Sequence, residues 1–140
     1  MIAEYLLAGP HLDEVSPFFS AEAKTVYLVP DVCVLELVDV VRRVHATAPD
    51  AAPFESASVL DDFRQLEPVV FGAMDLADDT LSLREGIASY AAAYVVLAMK
   101  WGVPLCTLDT AQAEEAERVG VRVLQPGAAG ATNWPPLPVA

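Results

Sequence analysis

The chain has 140 residues, of which 8 are basic and 20 acidic, so its formal net charge is −12, and 54% of its residues are apolar. These values fit one folded domain and exclude a chain disordered throughout, because disorder requires low hydrophobicity with high net charge. They also exclude nucleic-acid binding through bulk positive charge. The longest apolar run, Ile87 to Met99, is shorter than the about 20 residues of a membrane span. With no basic segment after Met1, we expect a cytoplasmic protein without membrane contact.

Predicted helices and strands alternate along most of the chain. Hydrophobic periodicity and the positions of Gly and Pro predict helices over 3–7, 13–19, 32–46, 54–66, 74–83, 85–101 and 110–119. Short apolar runs predict strands over 25–29, 68–71, 105–108 and 121–124. Pro30 is expected to end the first strand, and Asp31 to cap the helix that follows it. Gly102 is expected at the C′ position of the long helix.

This alternation predicts the class of fold. Strands that are apolar on both faces and alternate with helices favour a three-layer α/β/α sandwich around a parallel sheet. Right-handed crossovers place the carboxyl ends of such strands at one edge, where ligands bind. Residues 1–124 are expected to form the domain, and residues 125–140, rich in Pro and Gly, an extended or disordered tail.

Cysteine and surface acids add little. Cys33 and Cys106 lie far apart in apolar runs with no CxxC motif, which favours two buried, reduced thiols over a zinc site. The acidic run Glu114, Glu115 and Glu117 is expected to face solvent.

Two acids fall near the predicted binding edge of the sheet. Glu36 stands inside the apolar segment Val34 to Val38, where a carboxylate must be paired, hydrogen-bonded or bound to a cation. Asp109 follows the strand over 105–108. Simpler interpretations stay open: helix ion pairs among Glu36, Asp39 and the arginines after them, and an N-cap role for Asp109. Together, two acids at one edge suggest a hard cation with oxygen ligands, Mg²⁺ or Mn²⁺.

Two sequence blocks carry a resemblance to a known family. Residues 27–43, YLVPDVCVLELVDVVRR, resemble the second strand and helix of PIN-domain proteins, and residues 89–98 with 104–109, SYAAAYVVLA and PLCTLD, resemble a later helix and strand. The chain looks in particular like the VapC-type toxin ribonucleases of bacterial toxin–antitoxin pairs, from about Met1 to Leu124. The resemblance implies a PIN-like α/β/α sandwich whose acidic pocket binds Mg²⁺ or Mn²⁺ and cleaves single-stranded RNA.

The resemblance implies roles for particular residues. Glu36 and Asp109 match the family's catalytic carboxylates, and Asp39 stands beside them as a third candidate metal ligand. Thr107 matches a small hydroxyl residue before the second acid, and it is assigned with Arg42 and Arg43 to substrate binding. The metal would activate water and offset phosphate charge during in-line attack.

The chain departs from the family pattern at two places. Ala91 occupies a position where the family usually has Asp, and Met1 to Leu7 resemble the helix that follows the family's central first strand, so that strand and its acid are missing. Unpaired strand edges inside the sheet would cost about 1–3 kcal/mol per group. The sequence therefore predicts either a translation start upstream of Met1 or a sheet that closes differently. With two family acids absent, we expect weak metal binding and poor catalysis.

Two functions follow from these observations. The first is a metal-dependent endoribonuclease, the toxin of a toxin–antitoxin pair. The second is a catalytically inactive PIN-like binding module that interacts with an antitoxin or with itself. In either case a small antitoxin and a second copy of the chain are the expected protein partners. A receiver-like or other doubly wound domain, with Asp109 only as a cap, is a third interpretation.

Overall fold

The computed structural model describes residues 1–2, 6, 12–20, 25–47, 56–83 and 86–126. The helices are α1 (Leu12–Val15), the 3-10 helix Ser16–Phe19, α2 (Val32–Thr47), α3 (Ser56–Gln65), α4 (Ala73–Ser82), α5 (Ser89–Trp101) and α6 (Thr110–Arg118). The strands are β1 (Leu28–Pro30), β2 (Val69–Phe71), β3 (Leu105–Cys106) and β4 (Val123–Leu124). The α/β class is thus confirmed. Of the predicted helix over 3–7 only Leu6 is described, and the tail beyond residue 126 lies outside these ranges.

The described strands form two separate parallel ladders. β1 pairs with β2, with Leu28 opposite Val69, and β3 pairs with β4, with Leu105 opposite Val123. No ladder joins β1 to β3 within the described residues. The parallel direction was predicted correctly, but one continuous sheet is not formed by these strands.

β1 ends at Pro30, as predicted, and the proline is itself the last residue of the ladder. Backbone hydrogen bonds explain why the ladder tolerates it. The amide of Val69 donates to the carbonyl of Tyr27, and the amide of Asp31 donates to the carbonyl of Phe71. The backbone N–H and C=O groups of the odd-numbered residues in this segment therefore point toward β2. The proline nitrogen therefore faces away from β2, where no donor is required.

The β1–β2 ladder is less covered than the alternating pattern predicted. Val29 is 3% exposed, but Val69 and Val70 on β2 are 44% and 48% exposed. The prediction that every strand is buried on both faces is therefore wrong for β2. Sequence cannot separate a covered strand from an edge strand, because the difference lies in what packs against it.

Helix α5 forms the centre of the described structure. Val95, Val96 and Leu97 are at most 2% exposed, and the helix packs against α4, α6, β1 and β3. Its apolar sequence is hydrophobic on every side, as expected of a helix enclosed by neighbours. Gly102 ends it in the left-handed conformation with φ 61°, as predicted. Among the described helices, none has the length and apolar composition needed to cross a bilayer.

Glu67 and Glu115 differ from what the sequence predicted, the first in backbone conformation and the second in burial. Glu67 adopts a left-handed conformation, φ 48°, directly after α3, where glycine is the usual residue. Glu115 is only 8% exposed and forms an ion pair with Arg118, whose Nε lies 2.8 Å from Glu115 Oε2. The expectation that Glu115 faces solvent is therefore wrong, because the i,i+3 pairing lets its stem pack inward.

Candidate functional site

Glu36 lies at the margin of the buried face of α2. Cys33, Leu37 and Val41 form the centre of that face and pack against Val59 and Phe63 of α3. The Glu36 side chain is half-buried, and its Oε1 atom is buried without a hydrogen-bond partner. A buried carboxylate oxygen without a donor is costly, so this atom is the most unusual polar group of the described residues.

Tyr94 of α5 reaches this carboxylate. Its side chain packs against the apolar cluster that contains Cys33 and interacts electrostatically with Glu36. Burial raises the pKa of Glu36, and both the Tyr94 side chain and the positive amino group of Met1 oppose that rise. Burial also raises the pKa values of Cys33 and Tyr94. At neutral pH the thiol and the phenol are therefore uncharged, which leaves Glu36 as the group of this cluster that titrates.

A second polar group surrounds the start of α6. Asp109 is its N-cap, and its Oδ1 accepts a hydrogen bond from the Gln112 amide at 3.0 Å. The buried Thr107 hydroxyl accepts from the Asp109 amide at 3.0 Å and donates to Gln112 Oε1 at 2.6 Å. Gln112 Nε2 then donates to the Ala91 carbonyl of α5 at 2.9 Å. This network fixes the end of β3 and the first turn of α6 against α5.

The two polar groups meet α5 within one turn. Tyr94 contacts Glu36, and Ala91, three residues earlier, contacts Gln112, so both contacts lie on one side of the helix. Burial raises the pKa values of Glu36 on α2 and of Cys106 on β3, and the Met1 amino group opposes both rises. No hydrogen bond joins Asp109 to Glu36 in the part of the chain that the structure describes.

The other predicted site residues lie at the surface. Asp39 is exposed and pairs with Arg43 of the next turn, with 3.1 Å between Oδ2 and a guanidinium nitrogen. Arg42 is also exposed. Asp39 therefore stands apart from the half-buried Glu36, although three residues separate them. No group of three or more metal-ligating side chains occurs in the part of the chain that the structure describes.

Asp31 has a role that its position did not predict. Its Oδ2 accepts a hydrogen bond from the amide of Ala73, the first residue of α4, at 3.1 Å. The carboxylate thus satisfies a free backbone N–H at the N-terminus of a helix 42 residues away in sequence. Its backbone carbonyl accepts from Val34 and opens α2.

Tyr94 and Gln112 were not identified as site residues from the sequence. Gln112 had a usable signal, because an acid followed by Gln three residues later is typical of a capping box. Its side chain instead points to Thr107 and Ala91, a contact that requires the tertiary structure. Tyr94 had only its hydroxyl inside an otherwise apolar helix as a signal.

Comparison with known proteins gives no relative. The chain matches no family model, no curated protein and no solved structure.

Proposed function

We propose that the chain is a PIN-like, Mg²⁺- or Mn²⁺-dependent endoribonuclease of the toxin type, acting on single-stranded RNA. The observation that carries the proposal is the buried Oε1 of Glu36, which has no protein partner. A divalent cation is a suitable partner for such an oxygen, because carboxylate oxygens are the preferred ligands of hard cations. The resemblance of residues 27–43, 89–98 and 104–109 to PIN-domain proteins supplies the class of reaction.

The finer architecture is part of the same proposal. The two parallel ladders would be the halves of one PIN-like three-layer sandwich, with β1 and β3 on either side of a central strand. Both strands pack on α5, and the pairing pattern turns the backbone groups of Leu28 and Cys106 away from their partner strands. A further strand between β1 and β3 would pair with those groups and remove the penalty of unpaired edges.

The described residues fit a cation held by few protein ligands. Glu36 offers its unpartnered oxygen, whereas Asp109 already uses Oδ1 to cap α6. Magnesium sites often have only one or two protein carboxylates, with water and phosphate oxygens completing the shell. Glu36 would therefore be the principal ligand and Asp109 a second one through its other oxygen, and we expect weak affinity.

The protein groups around Glu36 and Asp109 would orient these two carboxylates and position the RNA. When bound, the cation would polarise a water molecule and offset the charge of the scissile phosphate. Tyr94 packs beside Glu36 and would limit the movement of its carboxylate, and the hydrogen bond between Gln112 and Thr107 holds the turn that carries Asp109. Arg42 and Arg43, exposed on α2, would supply local positive charge for the RNA backbone in a protein whose net charge repels it.

The proposal is tested by measuring Mn²⁺-dependent cleavage of single-stranded RNA and Mn²⁺-induced thermal stabilisation in the same samples. Glu36→Gln should abolish both, and Asp109→Asn should reduce both. Asp39→Asn is the matched control, since Asp39 is an acid of the same helix that is exposed and paired with Arg43. Cleavage and stabilisation that survive in Glu36→Gln but fail in Asp39→Asn would place the metal elsewhere and refute the assignment.

The second candidate is an inactive PIN-like binding module for an antitoxin or for a second copy of the chain. Two observations favour it: Asp109 is engaged as a helix cap, and Ala91 offers only its backbone carbonyl, which already accepts from Gln112. If neither Mn²⁺ effect is measurable in the wild-type chain, the fold would serve binding alone.

A further inference from the structure

The outward face of α4 carries apolar side chains that nothing in the described structure covers. Met74 is 86% exposed and Leu81 is 84% exposed, the highest values among the large apolar residues described. Seven residues turn an α-helix to within about 20° of two full turns, so both side chains lie on one line along the helix. Ala77 lies near that line between them. We call the surface formed by Met74, Ala77 and Leu81 the α4 ridge.

The orientation of the α4 ridge is fixed by the opposite side of the same helix. Leu76 is 2% exposed and packs with Ala93, Val96 and Leu97 of α5. Met74 and Leu81 therefore point away from the core because the helix geometry leaves them no other direction. Two exposed apolar residues in line on one helix are more than scattered surface apolar residues, which need no explanation.

The charged side chains that the described residues place beside the α4 ridge are mainly acidic. Asp75 and Asp78 are exposed on α4, and neither forms an ion pair within the described part of the chain. Asp79 lies nearer the core and forms an ion pair with Lys100, whose Nζ lies 2.8 Å from Asp79 Oδ2. Lys100 also attracts Asp75 and Asp78, so one cation stands against three carboxylates. Among the described residues, the surface beside the ridge therefore combines apolar contact area with excess negative charge.

We propose that the α4 ridge is a docking surface for a basic amphipathic helix of a partner protein. Apolar residues of such a helix would cover Met74 and Leu81, and its Lys or Arg residues would meet Asp75 and Asp78. A second copy of this chain fits less well, because a symmetric contact would bring two acidic ridges together in a protein of net charge −12. This interaction surface is independent of the proposed nuclease site.

The experiment uses a labelled synthetic peptide of leucine and lysine whose leucines recur at helical spacing, and a peptide of the same composition in scrambled order. Binding is followed by fluorescence anisotropy with the full chain. Met74→Gln and Leu81→Gln should each weaken binding of the helical peptide at least about tenfold, and the scrambled peptide should bind the wild type more weakly. Raising the salt concentration should weaken binding of the helical peptide, since paired charges contribute to it.

Leu35→Gln is the matched control, because Leu35 is a leucine 71% exposed on a different helix, α2. It should leave peptide binding unchanged, and circular dichroism should show all three variants folded. Equal affinity of the wild type and both ridge variants would overturn the proposal, as would equal binding of the scrambled peptide, which would indicate attraction by bulk charge alone. Self-association of the free chain that is lost in Leu81→Gln would assign the ridge to a second copy and also overturn it.

Discussion

The substitution Glu36→Gln offers the sharpest test of the electrostatics at the candidate site. Glutamine has nearly the same shape as glutamate, but it carries no charge. Leaving a buried polar atom without a partner costs about 1–3 kcal/mol. Because an amide is cheaper to bury than a carboxylate, we expect Glu36→Gln to raise the free energy of unfolding at pH 7 by about 1 kcal/mol.

The pH dependence gives this prediction its sign. Burial raises the pKa of Glu36 in the folded protein above its ordinary value of 4.5, so the folded state holds the proton more tightly than the unfolded state does. The favourable contribution of the protonated group is fully present below pH 4.5 and is lost as the pH rises through the folded-state pKa. The stability difference between Glu36→Gln and wild type should therefore be small at pH 4 and reach its full size at neutral pH.

The assay is thermal or urea unfolding of wild type and variant at a series of pH values, without added metal. A gain of about 1 kcal/mol corresponds to a melting temperature about 2–5 °C higher for a domain of this size. Asp39→Asn, at an exposed acid of the same helix, should change little. A Glu36→Gln variant less stable than wild type at pH 7, or a difference independent of pH, would refute the inference that the Glu36 carboxylate is buried at a cost.

Three further substitutions test the remaining contacts. Gln112→Ala should lower the free energy of unfolding in urea by about 2–4 kcal/mol, because it removes two hydrogen bonds and leaves the Thr107 hydroxyl and the Ala91 carbonyl without this partner. A double-mutant cycle with Thr107→Val should show coupling between the two positions, and additive effects would contradict the network. Asp109→Ala should cost about 1 kcal/mol through the lost N-cap, and Asp109→Ser should recover most of it; equal loss in both would exclude the cap as the cause. Glu67→Gly should stabilise by about 0.5–1 kcal/mol, since glycine adopts the left-handed conformation without strain; a destabilised variant would contradict this explanation.

Much of the local structure followed from the order of residues alone. Periodic apolar positions predicted α2, α5 and α6 to within a few residues of their observed ends. Gly102 followed because the end of α5 needs a left-handed residue, and glycine meets that need at least cost. The N-cap at Asp109 followed from an acid placed directly before a helical pattern, and the structure confirms it as the simpler of the two interpretations offered. These features depend on neighbours in sequence, which the sequence displays.

What only the tertiary structure decided depends on contacts between distant segments. The carboxylate of Asp31, predicted to cap the helix that follows it, accepts a hydrogen bond from a helix 42 residues away. Gln112, to which the sequence pattern assigned no role, donates to a carbonyl 21 residues away. The burial of Glu36 is of the same kind. The sequence showed an acid among apolar residues, but only the tertiary structure shows that its Oε1 is buried without a hydrogen-bond partner, in a region where Tyr94 of α5 lies nearby. Sequence spacing states which residue types are present, whereas the desolvation of an atom is set by every segment that packs around it.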